Sequence, residues 1–135
     1  LGREDADPRA ARARLPRAVI GVSCYADPER ARNAARSGAD YVAIGSIFPS
    51  ATKRSAVRAP LEAIARAKAA GGLPVAAIGG IARTNASEVV AAGADMLAVI
   101  SALFDAPDVL SAARFLSGLF DPEVSRDVRA QPRAV

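Results

Sequence analysis

The sequence predicts an α/β chain in which four parallel strands alternate with helices. Three observations carry that reading. Four short runs rich in Val and Ile recur, 18-AVIGVSC-24, 41-YVAIGS-46, 75-VAAIGG-80 and 96-MLAVIS-101. Each is too short for a helix and each is followed by an alanine-rich segment with helical spacing. Their apolarity is continuous rather than alternating, which is the pattern of strands covered on both faces and so of a parallel sheet. Finally, 38-GADYVAIGS-46 returns as 93-GADMLAVIS-101, at a distance of two strand–helix units, as a repeating layer requires.

Taken in order, residues 1–16, LGREDADPRAARARLP, hold no strand and no basic-then-apolar leader pattern, and the chain reads as starting in mid-fold. Asp7 before Pro8 has the form of a helix cap. The strand 18–24 leads to Asp27 and Pro28, a cap and a first helical position, and Gly38 ends that helix. The strand 41–46 is followed by the loop 45-GSIFPSATKRSA-56. Pro60 then opens a helix that Gly71 and Gly72 end. After the strand 75–80, Asn85 with Glu88 matches a capping box, and Gly93 precedes the strand 96–101. A last helix spans about Asp108 to Leu119. The order is β-α-β-α-β-α-β-α, with residues 1–119 as one domain. Residues 120–135 lack an apolar period and read as a flexible tail.

Composition narrows the chemistry. With 135 residues the chain is at most one ordinary domain. No run approaches the roughly 18 to 20 apolar residues of a membrane span, so no membrane partner is expected. The single Cys24 excludes an intrachain disulfide and fits a reducing, cytoplasmic compartment. The absence of histidine removes the commonest metal ligand and general base, which argues against zinc and against Ser-His or Cys-His catalysis. Net charge is +4, but the arginines are scattered and aromatics are only 4%. Neither a basic stripe nor a stacking platform is present, so no nucleic-acid partner is expected.

All four strands carry Gly or Ser at their C-terminal ends, where parallel α/β folds place ligands. Small residues there let a backbone approach a ligand closely. The loop after the second strand adds Ser46, Ser50, Thr52, Lys53, Arg54 and Ser55. Lys53 is one of two lysines against sixteen arginines. Hydroxyls and a compact ammonium suit phosphate oxygens.

The series GREDAD, IGVSCYADPERA, GADYVAIGSIFPSATK, PVAAIGGI and GADMLAVISALF resembles the C-terminal part of the thiamine phosphate synthase family, from Leu1 to about Leu119. The resemblance implies a (β/α)8 TIM barrel of which this chain holds strands five to eight, about the first third of the family sequence being absent. It implies a transferase that couples hydroxymethylpyrimidine pyrophosphate with thiazole phosphate and releases pyrophosphate, with Mg2+ as cofactor. Small-molecule phosphates and pyrophosphates are then the partners.

By the same resemblance Ser50, Thr52 and Lys53 hold the phosphate-bearing substrates, and Lys53 neutralises the departing pyrophosphate. Ser23 supplies a hydrogen bond near the reacting pyrimidine. Gly80 and the backbone of Ile100 and Ser101 receive the thiazole phosphate. Asp5 matches a Mg2+-binding aspartate, a second one lying in the absent part. Arg3 and Tyr25 depart from the family pattern, where Gln and His are common.

Other readings remain open at this point. The chain is also legible as a non-catalytic or degenerate half-barrel that binds phosphate ligands, as a barrel of another pathway with similar phosphate glycines, or as a thiazole tautomerase-like protein. The last depends on a histidine that this chain lacks. As a fragment it is expected to be inactive alone and to associate through its exposed half-barrel edges, as in a homodimer of halves.

Overall fold

Each of the four apolar runs forms a strand; the first contains Ser23 and runs on to Tyr25, while the other three stop before the Gly or Ser residues that end their runs. In the computed structural model, which describes residues 1–50 and 57–121, the strands are β1 (Gly21–Tyr25), β2 (Tyr41–Ile44), β3 (Val75–Ile78) and β4 (Met96–Ala98). They pair in parallel in the order β1-β2-β3-β4. The register sets Val22 beside Val42, Val42 beside Val75, and Ala77 beside Leu97. Helices α1 (Pro8–Arg14), α2 (Pro28–Arg36), α3 (Glu62–Gly71), α4 (Ala86–Ala91), α5 (Ser101–Phe104) and α6 (Val109–Gly118) fill the intervals. No described helix is long and apolar enough to cross a membrane. The predicted tail falls almost wholly outside the described residues.

Local chemistry explains most boundaries. Asp7 and Asp27 accept hydrogen bonds from the N–H groups of Arg9 and Glu29 at 2.7 and 2.9 Å, so both predicted caps form, each ahead of a proline. Asp108 caps α6 through the N–H of Ser111. The Asn85–Glu88 capping box does not form. Asn85 instead turns backward, accepting from the Ala82 N–H at 2.7 Å and donating to the Gly80 carbonyl at 3.1 Å. The α3 helix starts two residues later than Pro60, because the carbonyls of Pro60 and Leu61 close tighter three-residue turns onto Ala63 and Ile64. Ser101 belongs to the short helix α5 rather than to the strand before it.

The core lies between the sheet and its helices. Val22, Cys24, Val42, Ile44, Val75 and Ala77 are buried against Ala31, Ala34, Ile64, Ala67, Val89 and Val90. Each of the Val and Ile side chains among them contributes about 1.5–3 kcal/mol by leaving water, and the alanines less. Coverage on both faces, the basis of the strand prediction, does not hold among the described residues. Across the pleat Ser23, Tyr41 and Ala43 are only half-buried and Ile78, Met96 and Ala98 are exposed. The continuous apolarity is therefore real while its second cover is not part of this chain's described structure.

The repeated GAD motif has a concrete task at the strand starts. Asp40 accepts from the Ile20 N–H and from the Arg12 guanidinium, both at 2.6 Å. Asp95 accepts from the Val75 N–H at 2.9 Å and from the Lys68 ammonium at 2.6 Å. Each aspartate thus fastens its strand to the preceding strand and to a cation on an earlier helix. Arg12 also donates to the Gly38 carbonyl and Lys68 to that of Gly93.

Candidate functional site

A cavity of about 790 Å³ opens at the C-terminal ends of all four strands. Its walls come from Gly2–Asp5, from Ser23 and Tyr25 of β1, from the segments after β2, β3 and β4, and from Val57 and Arg58. Asp5, Ser23, Ser50, Gly80, Ile100 and Ser101, six of the residues singled out from the sequence, line this one space. Thr52 and Lys53 lie outside the described residues. The loop that carries them departs from and returns to this wall, since Ser50 and Val57 both line it.

The base of that loop is stitched to the neighbouring strand end. The N–H groups of Ile47 and Phe48 donate to the carbonyls of Ile78 and Gly79 at 3.1 and 3.0 Å, and Ala59 N–H closes the loop on the Ser46 carbonyl at 2.7 Å. The Ser46 hydroxyl adds a hydrogen bond to the Phe48 carbonyl. Gly79 and Gly80 make this approach possible. Both have positive φ, +104° and +60°, and a Cβ on either would run into Ser46 or into the Phe48–Pro49 backbone. On the side where a Cβ would stand, the space beside this pair is filled by the chain's own loop. Asn85, missed as a site residue because its spacing matched a capping box, ties the Gly80 carbonyl in place.

On β1, Ser23 is held from two sides. Its N–H donates to the Leu1 carbonyl at 2.8 Å, which brings the Gly2–Asp5 wall alongside. Its carbonyl accepts from the Nε and Nη2 groups of Arg30 at 3.4 and 3.3 Å. Asp5 accepts from the Gly2 N–H at 2.6 Å through Oδ2, which orients the carboxylate within its own turn. The neighbouring Cys24 faces the core, and burial pushes its thiol up to about 11, so it stays protonated and is a poor nucleophile at neutral pH. Tyr25, with φ +58°, carries the guanidinium of Arg3 at 4.9 Å and that of Arg30 at 5.5 Å from its ring centroid. No spacing signal in the sequence marks Arg30, Arg58 or this stack.

Among the described residues no group of three or more His, Cys, Asp or Glu side chains is placed to hold a metal. Asp5 shares the cavity wall with one other described carboxylate, that of Glu4. That suits Mg2+ only where substrate phosphates supply other ligands, the usual arrangement for this ion. Cys24 is not part of the cavity lining, and no His or Cys stands among the described lining residues.

A family model described as thiamine monophosphate synthase matches residues 1–103. The thiamine-phosphate synthase of Azoarcus sp. (strain BH72) is 58% identical over 121 residues, covering 89% of this chain and 59% of that protein. That of Aromatoleum aromaticum is 53% identical over 122 residues, covering 90% and 59%. The solved thiamine phosphate pyrophosphorylase from Pyrococcus furiosus superposes with a TM-score of 0.78 at 38% identity, covering 95% of this chain and 58% of the other. The chain therefore spans about three-fifths of the length of the relatives it matches. Because the family match runs through β1 to β4 and takes in every described wall of the cavity, this chain belongs to the thiamine monophosphate synthase family.

Proposed function

We propose that this chain is the strand-five-to-eight half of a (β/α)8 TIM barrel, residues 1–119, with 120–135 as a flexible tail. In the full-length parent it couples hydroxymethylpyrimidine pyrophosphate to thiazole phosphate, giving thiamine phosphate and pyrophosphate. The observation that carries the reading is convergence: six residues chosen from separate sequence segments line one cavity at the strand ends. The names of the relatives support the same activity.

The thiazole nitrogen forms a bond to the pyrimidine methylene as the carbon–oxygen bond to pyrophosphate breaks. The pyrimidine's own amino group stabilises the positive charge that develops, so a strong base is not required and the protein chiefly orients two substrates. Ser23 donates a hydrogen bond beside the reacting pyrimidine. Ser50, Thr52 and Lys53 surround phosphate oxygens, with Lys53 neutralising the leaving group. Gly80 and the backbone of Ile100 and Ser101 receive the thiazole phosphate. Asp5 would help to hold a Mg2+ ion, which when bound offsets pyrophosphate charge.

The exposed sheet face at Ile78, Met96 and Ala98 supports the view that the chain alone is inactive and associates through its open edges. The deciding experiment supplies both substrates and Mg2+ to the full-length parent and to the 135-residue chain. Thiamine phosphate is expected from the parent only. No product from the parent would overturn the assignment, and product from the chain alone would overturn the half-barrel argument.

A further inference from the structure

We infer that Arg3, laid against the ring of Tyr25, is a further anion-binding residue of the strand-end cavity and takes phosphoryl oxygens of a diphosphate. The identity of the substrate rests on the function proposed above; the site itself rests on geometry. Tyr25 ends β1 at a bulge between Ser23 and Tyr25 and at φ +58°, a conformation bulky residues rarely hold, and its side chain lines the cavity. Two guanidinium groups lie against its ring, and their situations differ. Arg30 spends Nε and Nη2 on the Ser23 carbonyl. Arg3 is 4.9 Å from the ring centroid, yet it donates to no carbonyl or carboxylate among the described residues.

A guanidinium held over a ring face keeps N–H groups for a forked contact, the geometry that matches phosphate oxygens. The ring restricts the long side chain before a ligand arrives, which lowers the ordering cost of binding. Two like charges near one ring also repel, and an arriving anion relieves that repulsion. Glu4 and Asp5 share the wall, so a bare anion is disfavoured there relative to one carrying a divalent cation. The ligand class is therefore a metal-complexed diphosphate.

The test is calorimetric titration of the full-length parent with inorganic pyrophosphate in the presence of Mg2+. Arg3→Gln is expected to weaken binding about tenfold, the loss of one charge-assisted contact. Tyr25→Phe keeps the ring and should stay within about twofold of the parent, while Tyr25→Leu should approach Arg3→Gln, and the double variant should add little to either alone. Binding unchanged in Arg3→Gln overturns the inference, as does a parent that does not bind pyrophosphate or a Tyr25→Phe variant as weak as Tyr25→Leu. Pyrophosphate binding is read without turnover. A parent that binds pyrophosphate but makes no thiamine phosphate therefore defeats the functional reading and not this one.

Discussion

The two ends of the sheet use similar sequence for opposite purposes. At the strand starts, Asp40 and Asp95 spend their carboxylates on the chain itself, each on a strand N–H and a helix-borne cation. At the strand ends the same two repeats diverge. Gly45 lets β2 pass against the Ile78 carbonyl, whereas Ile100 is exposed and Ser101 opens a helix beside the cavity. The repeat holds where the chain needs the same clamp twice and breaks where the cavity needs different walls. The aspartates at the strand starts are tied up within the chain, whereas Ser23, Ser46 and Ser101 at the strand ends line the cavity.

The sharpest way to break this comparison is to remove a residue from the binding end that should not matter for folding. In the full-length parent Lys53→Ala is expected to lower the rate at saturating substrates by roughly 30- to 1,000-fold, about 2–4 kcal/mol, with the melting temperature little changed. Unchanged turnover would make Lys53 an ordinary surface residue. Next in size is Gly79→Ala, where positive φ and collision with Ser46 should cost about 1–3 kcal/mol of stability. Because the loop base rests on Gly79, affinity for both substrates should fall as well. A variant with altered stability and unaltered KM would separate the turn from the site.

Asp95→Ala tests the other end. It leaves the Val75 N–H of a buried strand without its acceptor and should cost about 1–3 kcal/mol in denaturant unfolding, with the ion pair to partly exposed Lys68 adding little. Turnover at saturating substrate should persist below the new melting point. A fall in turnover without loss of stability would mean that the strand-start clamp reaches the cavity.

The smallest effect concerns pH. The Ile20 N–H and then the Arg12 side chain hold the Asp40 carboxyl below its usual range. A depressed carboxylate pKa favours the folded state above the ordinary Asp value of about 3.9 and loses that contribution as pH falls through the folded value. Unfolding curves of the unmodified chain and Asp40→Asn should therefore differ near neutrality and converge in acid. A difference that grew as pH fell would reverse the sign and refute the clamp.

Much of the fold was legible because it depends on local rules. Short Val- and Ile-rich runs, the Asp–Pro caps at Asp7 and Asp27, and the alternation of strands with helices follow from propensity, capping and period and lie within a few residues of their expected places, whereas the expected order lacks α1 ahead of β1 and the short α5 after β4. A local pattern does not fix the outcome where it has two physical solutions. Asn85 fits a capping box by spacing, yet its side chain found the Ala82 N–H and the Gly80 carbonyl across a turn. Continuous apolarity predicts two-sided burial, and period alone does not say which cover a strand's second face has.

What the sequence by itself determined was the kind of residue available at each strand end: hydroxyls, glycines, few carboxylates and no histidine. It also carried the family, through motifs that keep their order along the chain. The tertiary structure alone decided which of these residues meet. Arg3 and Tyr25 are far apart in the chain, as are Ser46 and Gly79, and their contacts exist because parallel strands in register bring their C-terminal ends to one side of the sheet. A side-chain contact between distant segments leaves no period in the sequence, since neither partner's neighbours need to repeat it.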